Sequence, residues 1–186
     1  MTRIQPVNYG EATGKAKELL NGVRAKLGIT PNMMKTMAQS PAVLEAYLNF
    51  SGALSGGELN AKLREQIALT SAEINNCGYC ASAHTAIGKM VGLDEDAISA
   101  ARQGRATDAQ TDAALKFARA IIVNRGEVTD ADLAAVKAAG FAEGEIAEII
   151  ANVALNIFTN YFNEVAKTEI DFPRVQIGLA AQSSIR

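Results

Sequence analysis

Apolar residues recur at three- and four-residue spacing along almost the whole chain, a period that predicts one helix after another. Over residues 10–27 the stripe is Ala16, Leu19, Leu20, Val23 and Leu27, closed by Gly28. A short methionine-rich helix is predicted over 32–39, opened by Pro31. Ser40-Pro41 reads as an N-cap followed by proline at the first helical position, starting a helix that runs to about Leu54. Gly56-Gly57 ends it, and 60–74 follows with Leu63, Ile67 and Ala68 on one face. Further helices are predicted over 79–90, stopped by Gly92, over 94–102 with Asp94 as cap, and over 109–123 capped by Thr107 or Asp108. Thr129 caps another over 130–139, which Gly140 ends. The longest, 142–165, carries Ile146, Ile149, Ile150, Val153, Leu155, Ile157, Phe158, Tyr161 and Phe162. Apolar on more than one face, it is expected to be covered on several sides. From Thr168 onward, Pro173 and Gly178 predict an extended tail that reaches across a neighbouring subunit.

Composition sharpens this picture. Alanine, the best helix former, occurs 34 times, and four prolines with few β-branched runs leave little that reads as strand. We therefore expect an all-α fold, with residues 1–186 forming a single helical domain large enough to bury a core without disulfide staples. The 186 residues carry a formal net charge of −2 with both signs mixed, and no Lys/Arg patch that would attract nucleic acid or an anionic lipid surface. Residues 1–10 lack the apolar core of a signal peptide. The apolar stretch 147–158 is interrupted by Glu148, Asn152 and Asn156 and is too short to span a bilayer. The expectation is a cytoplasmic protein with no nucleic-acid or membrane partner.

The candidate chemistry lies where the scarce residues are. The chain has two cysteines and one histidine, and all three fall within Cys77-Gly78-Tyr79-Cys80-Ala81-Ser82-Ala83-His84. Asn75, Asn76 and Gly78 are poor helix-interior residues, so a break is predicted here, with Asn76 capping the next helix. Cys77 and Cys80 then lie in a first turn, where unpaired N–H groups and the helix dipole favour thiolate. Cys77 and Cys80 are close enough for a disulfide, and Cys80 and His84 share a helical face. One turn can thus hold an activated thiol, a thiol to resolve it and an imidazole to move protons. A carboxylate is needed to orient that imidazole. If the two helices fold back on each other, Glu65 is the preferred candidate, whereas Glu73 is expected to face solvent as a helix-end charge.

Other readings compete. Two thiolates, an imidazole and Glu65 could in principle clip zinc, although no second Cys/His pair exists and Glu65 is distant. The missing βαβ context argues against a thioredoxin-like enzyme. Tyr79 either hydrogen-bonds near the site or packs. Met33, Met34 and Met37 read as flexible filler under a loop or at a subunit contact. Asn152, Asn156, Asn160 and Asn163 recur along the most apolar helix and either satisfy buried neighbours, line a polar pocket or register a helix interface. Phe50, Phe117, Phe141, Phe158 and Phe162 are assigned to the core.

The Glu65-x11-Cys77-x-x-Cys80-x3-His84 spacing resembles the alkylhydroperoxidase D-like branch of the carboxymuconolactone decarboxylase family. The resemblance is best over 41–93, and 154–163 and 169–173 also look like the family's carboxyl-terminal helix and tail. It implies an all-helical protein assembled as a trimer or hexamer, a helix-swapped or tightly packed homo-oligomer. It further implies a thiol-dependent peroxidase without a bound cofactor. In that reading Cys80 attacks a peroxide, Cys77 resolves the sulfenic acid, His84 and Glu65 relay the proton, and an external dithiol or protein disulfide reductant restores the thiols. One departure is Tyr79, standing where the best-studied peroxidases of this type carry a second histidine. A phenol with an ordinary pKa near ~10 cannot shuttle protons at neutral pH as imidazole does. Two alternatives remain open: a decarboxylase-like lyase using only His84 and Glu65, and a non-catalytic helical oligomer that senses redox state.

Overall fold

A computed structural model describes residues 1–178. Among them every regular element is an α-helix: α1 Gly14–Leu27, α2 Asn32–Met37, α3 Pro41–Ser55, α4 Ala61–Ile74, α5 Gly78–Met90, α6 Glu95–Arg102, α7 Ala109–Val123, α8 Asp130–Ala138 and α9 Glu143–Ala166. The ends follow local chemistry. Asn60, Asp94, Asp108 and Thr129 each accept an orphan N–H of the first turn, and Gly28 closes α1 in the left-handed conformation.

Two apolar clusters share α4 as their common wall. One gathers Leu63, Ile67, Leu115, Ile149 and Val153 between α4, α7 and α9. The other gathers Leu20, Met37, Leu44, Cys77, Tyr79 and Cys80 between α1, α2, α3 and α5, with Ile170, Phe172, Val175 and Ile177 of the tail laid over it. The cysteine pair is therefore part of a core. Phe117 and Phe141 are buried as expected, but Phe50 and Phe158 are 39% and 40% exposed. They sit on the outer faces of α3 and α9, where Ile150, Tyr161 and Val165 are exposed as well, so α9 is apolar on a side that the described residues leave uncovered.

The tail has no helix or strand from Thr168 to Gly178. As far as Gly178 it runs back over its own chain: Asp171 accepts from Tyr79 Oη at 2.9 Å and Asn32 N at 2.7 Å, and Val175 N donates to Ser82 Oγ. Residues 179–186 lie outside the described residues.

Glu73 is not a solvated helix-end charge. It is buried, accepts from Arg102 Nε at 2.9 Å and from Gly178 N at 2.7 Å, while Arg102 also holds the Gln176 carbonyl. Arg102, 29 residues further on and invisible to local pattern, recruits it as a buried ion pair. Removing one member of such a pair strands the other charge, so Glu73→Leu is expected to lower stability by about 3–5 kcal/mol in urea unfolding. A loss below about 1 kcal/mol, the range of surface pairs, would show that water reaches the pair.

Candidate functional site

The break between α4 and α5 is a Schellman-type turn. Asn76 takes the left-handed conformation at φ 55°, its N–H reaching Glu73 O and the Cys77 N–H reaching Ala72 O at 2.9 Å. Asn75, on the other side of the turn, donates to Asn160 Oδ1 of α9 at 2.9 Å. The cap of α5 is Cys77 rather than Asn76: with φ −92° and ψ 96°, its Sγ accepts the Cys80 N–H at 3.3 Å. The turn reverses the chain, so α4 and α5 run antiparallel and Glu65 comes abreast of His84.

The structure brings together all four predicted site residues. His84 Nδ1 meets Glu65 Oε2 at 2.7 Å, with the side chains 22% and 17% exposed. Burial pushes the imidazole toward its neutral form, but the Glu65 carboxylate outweighs it and the His84 pKa is raised. Cys77 and Cys80 are free thiols, both buried. Burial would raise the Cys80 pKa. The Cys77 thiol, the charge of His84 and the amides of Asn163 and Asn160 together overcome it, leaving Cys80 at about 7. Cys77, donating to Cys80 and buried, is pushed well up. The two sulfurs are thus differentiated: the surroundings favour the thiolate at Cys80 and the protonated thiol at Cys77.

Tyr79 Oη donates to Asp171 and accepts the Met33 N–H at 3.2 Å, and burial pushes its pKa up. It ties the tail to α2 and α5 and holds its proton, as befits a pin rather than a relay. Sequence reasoning missed several participants. Asn163 donates to Cys80 Sγ at 3.3 Å and to Met33 Sδ at 3.2 Å, and the buried amide of Asn160, one turn earlier, also favours the Cys80 thiolate. The signal was present in the run of asparagines along an apolar helix, which the sequence alone could not aim at a sulfur. Tyr47, whose hydroxyl burial pushes up to about 12, and Ser51 also face the site, and nothing in the sequence marks them.

These groups lie at one side of a cavity of about 340 Å³ between α1, α2, α3, α4, α5 and α9. Met33 and Met34 line it rather than only filling space, as do Leu54, Ile87 and Leu155. Cys80, His84 and Glu65 open onto it, whereas Cys77 lies behind, with no exposed surface. Among the described residues no three His, Cys, Asp or Glu side chains converge as a metal site requires, and no helix is long and apolar enough to cross a membrane.

The carboxymuconolactone decarboxylase family model matches the stretch from α3 to α7 that carries all four residues. The match spans residues 41–123, 83 of the 186 residues. Outside that family segment, Asn160 and Asn163 come from α9. No curated protein matches the chain in sequence. Among solved structures, the alkylhydroperoxidase AhpD core protein of Ralstonia eutropha JMP134, an uncharacterized peroxidase-related protein, is 23% identical over 91% of this chain and 92% of its own, with a TM-score of 0.82. An uncharacterized peroxidase-related protein from Silicibacter sp. TM1040 is 24% identical over 89% and 91%, with a TM-score of 0.77. A Cys-to-Ala variant of the debrominase Bmp8, in complex with 2,3,4-tribromopyrrole, is 21% identical over 92% of both chains, with a TM-score of 0.79. The all-helical fold of this chain is the alkylhydroperoxidase-like one.

Proposed function

We propose that the protein is a thiol-dependent peroxidase that reduces organic hydroperoxides through a Cys77/Cys80 dithiol–disulfide cycle. The observation that carries this reading is the asymmetry of the pair: Cys80 has a pKa of about 7 and opens onto the cavity beside His84, while Cys77 is protonated behind it. The Cys80 thiolate attacks the distal peroxide oxygen, the O–O bond breaks, and the departing alkoxide takes the proton of His84 to leave as an alcohol. Cys80 is then a sulfenic acid. The Cys77 sulfur displaces its hydroxyl, which leaves as water with the Cys77 proton, and a disulfide forms. An external dithiol supplies the two electrons that restore both thiols. The aromatic and aliphatic side chains of α9 that lie exposed, Phe158, Tyr161 and Val165, support a homo-oligomer built on that helix.

The test is a titration of reduced protein with one equivalent of cumene hydroperoxide, followed by thiol counting and intact mass. Both thiols are expected to disappear together, with the loss of two hydrogens and no covalent dimer. Survival of both thiols overturns the peroxidase reading and favours the lyase alternative, which needs only His84 and Glu65.

A further inference from the structure

The proposed cycle leaves one charge of the cavity wall without a task. Arg64 precedes Glu65 on α4 and lines the same cavity, as do the exposed Met90 and the apolar Leu54 and Ile87. Its guanidinium is half-buried and donates one N–H group to the Leu59 carbonyl. Among the described residues it makes no ion pair within 4 Å. The carboxylates around it have other hydrogen-bond partners. Glu65 is held by His84, and Glu148 takes the backbone N–H groups of Glu58 and Leu59 at 2.8 and 3.0 Å while sitting within the field of the Arg64 charge, which helps keep its pKa low.

A guanidinium with unused donors in a mostly apolar pocket is suited to an anion. Its planar fork matches a carboxylate, and the surrounding hydrocarbon strengthens the attraction. The antiparallel register sets the span. With Glu65 abreast of His84, Arg64 lies abreast of Thr85, five residues from Cys80, which is roughly 7–8 Å along the axis at the helical rise. Ala83, Leu54 and Leu155 line the same cavity and give it an apolar wall. One end of the cavity can therefore hold a peroxide, the middle a hydrocarbon body and the far end a negative group.

We propose that Arg64 is a specificity-determining residue, and that the substrate is an organic hydroperoxide with a compact apolar body and a carboxylate that Arg64 binds. This rests on the peroxidase reading for the reaction, though not for the anion site. The rival role for Arg64 is structural, holding the Leu59 carbonyl and balancing Glu148.

Cumene hydroperoxide and its para-carboxylate form a matched pair that differs only in the charge. On the full-length reduced protein with a small dithiol reductant, the para-carboxylate is expected to have the lower KM, by about tenfold or more, the scale of a hydrogen bond to a charged group. Arg64→Gln should bring the ratio of the two KM values to about one, with Arg64→Lys between. Equal KM values in the parent protein, or an unchanged ratio in Arg64→Gln with both KM values raised alike, would assign Arg64 to structure and overturn the proposal. Calorimetric binding of 4-isopropylbenzoate, which has no peroxide, separates the two readings. Binding that Arg64→Gln abolishes, with both hydroperoxides inert toward the thiols, keeps the anion site and removes the peroxidase. Thiol oxidation by both hydroperoxides without binding of 4-isopropylbenzoate does the reverse.

Discussion

Replacing Cys80 by serine is expected to reduce consumption of organic hydroperoxide to the uncatalysed background. A serine hydroxyl in the same place stays protonated at any working pH and is a far weaker nucleophile than a thiolate. Cys77 cannot take over, because it is fully buried and its pKa is pushed upward, so at neutral pH it is neither ionised nor in reach of the cavity. Cys77→Ser should behave differently. The attack at Cys80 still occurs once per chain, one equivalent of alcohol is released, and the protein stalls as a sulfenic acid that dimedone traps. Stopped-flow measurement of hydroperoxide loss with the two single variants separates these outcomes. Equal activity in Cys80→Ser and the parent protein would assign the nucleophile to another group.

Glu65→Gln should lower the rate of thiol oxidation at pH 7 by about 10²-fold, the scale of a lost general acid. Burial drives His84 toward neutrality, and the Glu65 carboxylate, with a smaller contribution from the charge of Cys80, overrides it. Without that charge the ring gives up its proton at lower pH. The damage is then twofold: the alkoxide loses its proton donor, and Cys80 loses the positive charge that helps hold it at about 7. The second effect is read directly by alkylation with iodoacetamide across pH. The parent protein should reach half its maximal rate near pH 7, and the Glu65→Gln curve should move to higher pH, toward an ordinary thiol. An unmoved curve would show that the Asn163 and Cys77 hydrogen bonds suffice to hold the thiolate.

Much of this arrangement is written locally. The helices were legible because their signals are short-range: Asn60, Asp94, Asp108 and Thr129 cap the helices they precede, and each glycine stop follows an apolar stripe of the right period. Cys77, Cys80 and His84 were legible because three scarce side chains share two turns. Glu65 needed the added assumption that α4 and α5 double back, which Asn76 makes possible by entering the left-handed region. What escaped was long-range. Glu73 reads as a surface charge until Arg102 is packed against it, and Phe50 and Phe158 read as core until the faces of α3 and α9 are seen to be turned outward. Asn163 is 83 residues from Cys80, and no periodicity within α9 says which of its polar positions will meet a sulfur. The tail's contacts escaped for the same reason: Asp171 and Val175 find partners on α2 and α5, far away in sequence.

The depth of Cys77 bears on how such a cycle would reset. A dithiol entering by the cavity meets the sulfur of Cys80 first, and attack there must expel Cys77, the poorer leaving group of the two. Attack on Cys77 would expel the good leaving group, but that sulfur lies behind its neighbour, beneath the strap that Asp171 and Tyr79 fasten down. In the proposed cycle, the same burial that divides the labour between the two thiols would therefore make re-reduction, rather than oxidation, the slower half of each turnover.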